Sequence, residues 1–367
     1  MSHWRRSLAA WIVPAGVFQS VVVGGAYGTG REVMEFMSSF GPWGGLAGIG
    51  CVLLAFWAVL GLAFEFARLT RAYDYRHFLR ELLGRGWVAY EACFILLLVI
   101  VLAVTGAAAG RVLAETFGTA PTAGTLGMLV AVVACNFFGR RLVEVTLTAG
   151  SLALSLGLVA YGVMMWRAAG PQIEASFAAV PTAPGWALAA FKFALYNSAL
   201  VPVLLYATTG VASRRQALGA GLVAACAGIL PALVLHVSFM AHPAALAQEQ
   251  LPAYWMIERY GTREFLLVYV ALLFMTIVQT GVGVLQGLNE RLDAWWREAH
   301  RRPLPGALHA LVAGLATALS LWLSKLGIVA LIAKGYGTLA WGFLLVFTLP
   351  LLTVGLRRIL TSSPAKP

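Results

Sequence analysis

Gly24-Gly25-Ala26-Tyr27-Gly28-Thr29-Gly30-Arg31-Glu32 interrupts an apolar run that extends from about Ala9 to Phe40. Four glycines in seven positions do not belong inside an ordinary helix, because each costs roughly 1 kcal/mol relative to alanine. The flanks, Trp11–Val23 and Val33–Phe40, read as helix. The whole run is also too long for one straight span, which needs about 20 residues. The stretch predicts a broken transmembrane helix: a half-helix, an unwound strip and a second half-helix. Unwound backbone at membrane depth is tolerated only when it is buried in protein or lines a water-filled cavity. The half-helix ends there present polar backbone groups to a small ion or zwitterion. The competing reading is a glycine-rich packing face that lets helices approach closely. The length of the run and the Arg31-Glu32 pair argue against it.

Composition supports a membrane setting. The chain has 367 residues, is 60% hydrophobic and only 11% charged, and its mean hydropathy is +0.82. Soluble domains carry about 25% charged residues. The net charge of +11 does not indicate a nucleic-acid partner, because the arginines and lysines fall in loops between apolar runs. Cys51, Cys93, Cys135 and Cys226 lie within apolar runs and read as small buried hydrophobes, with no disulfide or zinc spacing. The first apolar run is too long for a cleavable signal peptide.

Outward from the first break, the pattern gives ten spans: 9–38, 44–66, 88–115, 124–138, 142–166, 186–211, 217–241, 263–288, 306–324 and 337–356. Residues 67–86 hold five arginines and an apolar stripe of Phe78, Leu79, Leu82 and Leu83, expected as a helix lying on the membrane surface. The proline-containing segment 167–185 reads as a linker. Residues 242–261 form a sizeable loop with room for a short helix. With both termini placed in the cytoplasm, inner segments hold 18 of the 26 basic residues and outer segments 5. That bias sets the expected orientation in a bacterial inner membrane.

The sixth span carries Tyr196-Asn197-Ser198 followed by Pro202. Asn and Ser compete for backbone hydrogen bonds, and proline removes a donor. A second broken helix is expected there. Interrupted spans at matching positions, first and sixth, are the sequence pointer to a transporter binding site. Five spans per half imply opposite orientation of the halves, about 9–166 and 186–356, within one transmembrane domain over 1–367.

Several of these segments carry a family resemblance: Val23 to Glu32, Tyr73-Asp74-Tyr75, Tyr196-Asn197, Thr276 to Gly283 with Glu290-Arg291, and Gly327 to Tyr336. Together they resemble the YkvI-like bacterial membrane proteins of the amino acid–polyamine–organocation superfamily. The resemblance implies a LeuT-type fold: all-α, ten transmembrane helices, an inverted five-plus-five repeat, and helices one and six broken. Ala26 and Arg31 depart from the family pattern, which has glycine and glutamine there. In this fold a basic side chain near the break can replace a sodium ion.

The expected function is secondary active transport of a small organic solute, first an amino acid or related zwitterion, by alternating access. The alternative is a membrane-embedded solute sensor that keeps the fold without moving solute. No metal spacing or nucleophile motif points to an enzyme. Candidate substrate contacts are Gly24, Gly25, Tyr27, Gly28, Thr29, Gly30 and Arg31 in the first break, Tyr196, Asn197 and Ser198 in the sixth span, and Thr105 in the third. Arg31 is suited to a carboxylate, which it can hold by two parallel bonds, or to a pair with Glu35. Glu32 is the candidate proton carrier, since an ionisable group at membrane depth is functional by default. Thr276, Gln279 and Thr280 resemble the hydroxyl-bearing span that ligates sodium in this fold. Lys192 lies one turn from Tyr196 with no assigned role. Arg111 with Glu115 is expected as a structural pair, and Glu65, Glu91 and Glu144 as solvated carboxylates near span ends. His236 and His309 read as satisfied core residues. Expected partners are the solute and the lipid bilayer, with no nucleic acid. No cofactor is expected beyond H+ or Na+ as coupling ion.

Overall fold

The computed structural model describes residues 3–138, 140–301 and 305–362, with side chains at all of these except 3–8, 25–26, 135–155 and several positions between 290 and 313. Candidate side chains of Cys135, Arg140, Arg141, Glu144, Glu290 and His309 fall outside the described residues. The described chain is helical, with no strand.

The first apolar run is divided as its glycines require. Helix α1 (His3–Val22) ends before Gly24, a single turn α2 covers Gly25–Gly28, and α3 (Arg31–Phe36) resumes after Gly30. Then come α4 (Gly41–Thr70), α5 (Tyr75–Leu83), α6 (Trp87–Phe117), α7 (Pro121–Phe138) and α8 (Arg140–Ala179). In the sixth apolar run, α9 (Trp186–Ser198) gives way at Ala199 and Leu200 to a tighter helical segment, Val201–Thr208, turned by 57°. The chain continues with α10 (Arg214–Phe239), α11 (Pro243–Leu246), α12 (Pro252–Tyr260), α13 (Arg263–His300), α14 (Gly306–Ser324) and α15 (Ile328–Thr361). Among the described residues five helices are long and apolar enough to cross a bilayer, or six with the bent pair counted as one span. The protein is a multi-pass membrane protein.

Helix starts follow local chemistry. Asp74 accepts from the N–H groups of Arg76 and His77 at the head of α5, Ser213 from Gln216 at α10, and Thr262 from Phe265 at α13. The long α4 and α10 pack along each other through small residues. A Cβ on Gly221 of α10 would stand 2.7 Å from the backbone nitrogen of Gly61 on α4. Close backbone approach of this kind is how helices associate without a hydrophobic driving force between them.

Five expectations are corrected. The segment 167–185 is largely helix: α8 bends at Ala169 (φ −134°) and continues to Ala179, leaving only 180–185 outside a helix. Pro171 starts the new segment rather than ending the old one, because a proline fits the first helical turn, where its missing N–H has no partner to lose. The last span begins at Ile328 instead of 337, through a wide i→i+5 turn over Leu331–Tyr336. The apolar stripe of α5 faces protein rather than lipid, with Phe78 against Phe66 and Phe347. Glu65 and Glu91 are buried instead of solvated, because each meets an arginine from a distant segment, Glu65 with a second from its own helix. Arg68 and Arg214 meet Glu65, and Arg291 lies 3.1 Å from Glu91 between the rings of Tyr75 and Phe94. Cys51 and Cys226 sit on the exposed apolar surface, not inside it.

These contacts define two ends of the bundle. At the basic end Arg76 and Arg80 reach Glu298, Arg358 reaches Glu81, and Arg214 reaches the Ile359 carbonyl. At the opposite end, the loop end, the Ala183 N–H bonds to Phe40 and Trp43 to the Phe177 carbonyl. Gly221→Leu overpacks the α4–α10 seam. It is expected to destabilise the protein by about 1–3 kcal/mol, read as a lower melting temperature in detergent; an unchanged melting curve would contradict the packing.

Candidate functional site

Gly30 is the pivot of the first break. Its φ of +81° is the left-handed conformation that glycine adopts without strain, and the Phe239 ring of α10 occupies the place a Cβ would take. The Thr29 carbonyl just before it accepts from the Ala253 N–H of α12 at 3.1 Å. The Thr29 hydroxyl accepts from the Arg31 N–H at 3.2 Å and so caps the start of α3. On the other side of the break, the Gly28 carbonyl accepts from the Tyr269 hydroxyl of α13 at 2.9 Å. At the second break, the Ala199 carbonyl accepts from the Tyr90 hydroxyl of α6 at 2.6 Å. Three carbonyls freed by the two breaks therefore have donors from other helices.

Arg31 and Glu32 start α3 and diverge from it. The buried Arg31 guanidinium points to the loop end, where it donates to the Ala247 and Glu249 carbonyls at 2.9 and 3.0 Å and to Glu35 at 2.7 Å. The Glu35 pair is the one its i, i+4 spacing permits. Arg31 ties α3 to the segment 242–251. With α12 bonded to Thr29, this segment closes the break at the loop end.

Glu32 turns inward. It is 6% exposed and accepts a hydrogen bond from the Tyr196 hydroxyl of α9. Tyr196 stacks on Tyr336 of α15, with ring centroids 4.7 Å apart, and touches Phe36 and Phe193. No ion pair to Glu32 occurs among the described residues. A carboxyl from the first break and a hydroxyl from the sixth-span half-helix therefore meet in a buried aromatic shell.

The other candidates are placed as follows. Tyr27 is fully buried, donates to the Gly228 carbonyl at 3.2 Å and packs near Phe193. Gly25 opens α2. Asn197 and Ser198 are buried but bond back to the Phe193 and Ala194 carbonyls of their own helix. Thr105 bonds back to Val101 and Leu102. Thr276 and Thr280 donate to Leu272 and Thr276, and Thr280 lies directly against Gly24, with its hydroxyl 2.7 Å from an ideal Cβ there. Among the described residues the buried Gln279 amide nitrogen has no hydrogen-bond partner. Lys192 is half-buried and in no ion pair among the described residues. Arg111 and Glu115 pair at 2.7 Å, and His236 is held by Ser38 and the Pro42 carbonyl. Tyr90, Tyr269 and Tyr336 were not among the sequence candidates. Only Tyr336 carried a signal, as the end of the Gly327–Tyr336 stretch.

A cavity of about 50 Å³ lies beside the first break, lined by Tyr27, Gly28, Tyr161, Pro231, Tyr269 and Leu272 among others. Ligand pockets usually measure roughly 300–1,000 Å³, so this arrangement is contracted. Among the described residues no three His, Cys, Asp or Glu side chains are grouped to hold a metal ion.

Neither a family model nor a curated protein matches the chain. Solved structures do. The chain is similar to MhsT in complex with L-phenylalanine (16% identity, 98% of this chain and 97% of that one, TM-score 0.53). It is similar to a substrate-bound Na+-coupled sialic acid symporter (13%, 95% and 86%, TM-score 0.54). It also resembles a manganese transporter of Eremococcus coleocola (11%, 100% and 90%, TM-score 0.53).

Removing the hydroxyl in Tyr90→Phe or Tyr269→Phe leaves a carbonyl at a break without its donor. Each is expected to cost about 1–3 kcal/mol, seen as a lower melting temperature; a neutral Tyr90→Phe would show that the Ala199 carbonyl finds another donor. Two helices broken at matched places, closed by partners from across the bundle, together with these likenesses over nearly the whole chain, give the protein the all-α LeuT-type fold.

Proposed function

We propose that the protein is a secondary transporter of a small organic solute, first an amino acid or related zwitterion, working by alternating access. One observation carries this reading: the half-helices of two broken spans meet through an ionisable group, Glu32, buried where a soluble protein would place an apolar one. Ionisable groups at membrane depth mark solute and ion paths. Broken helices at corresponding positions supply the polar groups of such paths. The contracted cavity and the latched loop end fit one closed stage of a cycle whose other stages open the break.

In that cycle Arg31 has two duties. It holds the loop end shut through Ala247, Glu249 and Glu35, and when released it would meet a solute carboxylate with the same donors. Tyr196, Tyr27 and the Gly24–Gly30 backbone would line the solute. The coupling ion is H+ or Na+. Sodium takes oxygen ligands, and the Thr276 and Thr280 hydroxyl oxygens, beside Gly24, fit that chemistry. The basic end would face the cytoplasm of a bacterial inner membrane, with both termini there, following the 18-to-5 bias of basic residues. The halves would be about 9–166 and 186–356, and membership in the YkvI-like group accords with the motifs in both.

Purified protein screened by thermal shift against amino acids, with and without sodium, is expected to be stabilised by one of them. A ligand at 100 times its Kd adds about 2.7 kcal/mol. The same compound is expected to exchange across proteoliposome membranes. Binding without exchange would replace the transporter by a sensor.

A further inference from the structure

We propose that Glu32 is the site of the coupling proton, and that Tyr196 and Tyr336 link its protonation to the meeting of the first, sixth and last spans. This rests on the transporter reading and names its driving ion.

The argument starts from what surrounds the carboxyl. Helix α3 packs against α2, α9, α10, α12 and the start of α15. From α2 comes Tyr27, from α9 Tyr196, and from α15 Tyr336, each with a buried hydroxyl-bearing ring. From α10 comes His236, but its ring nitrogens are taken by Ser38 and Pro42. Helix α12 brings Tyr254, Glu258 and Arg259, and Arg259 lies over the Trp255 and Tyr260 rings. On α3 itself, Arg31 is spent on Glu35 and the Ala247 and Glu249 carbonyls. Lys192 of α9 and Lys334 of α15 form no ion pair with Glu32 among the described residues. So the nearest cation is turned away, and the shell around Glu32 is phenolic and aromatic.

A charge in such a shell has no counter-ion, while a neutral acid suits it. Proton binding is therefore a change the local structure can register. The step is a simple transfer. A hydronium ion in the opened loop end gives up a proton, and an O–H bond forms on a Glu32 carboxyl oxygen. That bond breaks again when water reaches the site from the basic end. Tyr196 donates to the other carboxyl oxygen and can do so to either form. Tyr336 holds the Tyr196 ring by stacking, from a wide turn of α15 that re-aims it across the bundle. Neutralising Glu32 lets α3, α9 and α15 come together around it; ionising it favours an opening that admits water.

The test has two arms. In the first, infrared difference spectra of the purified protein are taken across a pH series. One component of the protonated-carboxyl carbonyl stretch is expected to titrate in the wild type and to be missing from Glu32→Gln. Tyr196→Phe is expected to move the midpoint of its titration, and Glu115→Gln, from an exposed pair away from the site, to leave it unchanged. Wild-type and Glu32→Gln spectra that titrate identically through this region overturn the proposal. In the second arm, proteoliposomes receive a radiolabelled mixture of amino acids from a protein hydrolysate. Accumulation driven by an acid-outside gradient in sodium-free buffer, collapsed by an uncoupler and lost in Glu32→Gln, supports it. Accumulation that needs a sodium gradient and ignores pH overturns it. If no amino acid moves under either gradient, the amino-acid reading fails, and the infrared arm alone decides whether Glu32 holds a proton.

Discussion

A backbone carbonyl without a donor at membrane depth costs several kcal/mol, and every notable feature of this protein follows from how it deals with that cost. Breaking two helices frees polar groups in the middle of an apolar bundle. The fold returns donors to three of them: Tyr269 to Gly28, the Ala253 N–H to Thr29, and Tyr90 to Ala199. Each donor comes from a different element, α13, α12 and α6. The breaks are thus where separate helices are joined. A rigid-body motion of any of these elements must exchange its hydrogen bond for another, with solvent or with a solute.

The breaks themselves were legible because their signals are local. Clustered glycines, and Tyr-Asn-Ser followed by proline, have short-range consequences that any surroundings would preserve. The positive φ at Gly30 and the bend after Ser198 fall where those signals put them. The donors were not legible. Tyr90 and Ala199 are 109 residues apart, and Tyr269 and Gly28 are 241 apart. A tyrosine on an apolar helix reads as core until its hydroxyl is traced to its acceptor. The same blindness hid the burial of Glu65 and Glu91, whose arginine partners Arg214 and Arg291 lie far along the chain. Pro171 misled for a different reason. Proline marks a boundary, but a helix that restarts at once is as good a boundary as a linker.

The candidate side chains divide by the same logic. Thr105, Asn197, Ser198, Thr276 and Thr280 all donate to carbonyls of their own helix, three or four residues back. In a bilayer that is the default for a hydroxyl or amide with no better partner. Such groups keep oxygen lone pairs for an ion or solute, yet nothing in their geometry commits them to one. Glu32 and Tyr196 differ, because their bond runs between helices α3 and α9.

Arg31 and Glu32 show how one short helix serves two compartments. Consecutive residues on an α-helix point about 100° apart. The chain places the permanent cation on the face toward the loop end and the carboxyl on the face toward the bundle. Had the order been reversed, the guanidinium would stand in the phenolic shell beside Tyr196 and Tyr336, as a charge that no pH change could remove. The carboxyl would then face the Ala247 and Glu249 carbonyls, which offer it no donor. As the sequence stands, the permanent cation lies with the Ala247 and Glu249 carbonyls and Glu35, and the carboxyl lies between α3 and α9 on the Tyr196 hydroxyl. The register of two adjacent residues thus separates the Arg31 contacts at the loop end from the Glu32–Tyr196 contact between helices.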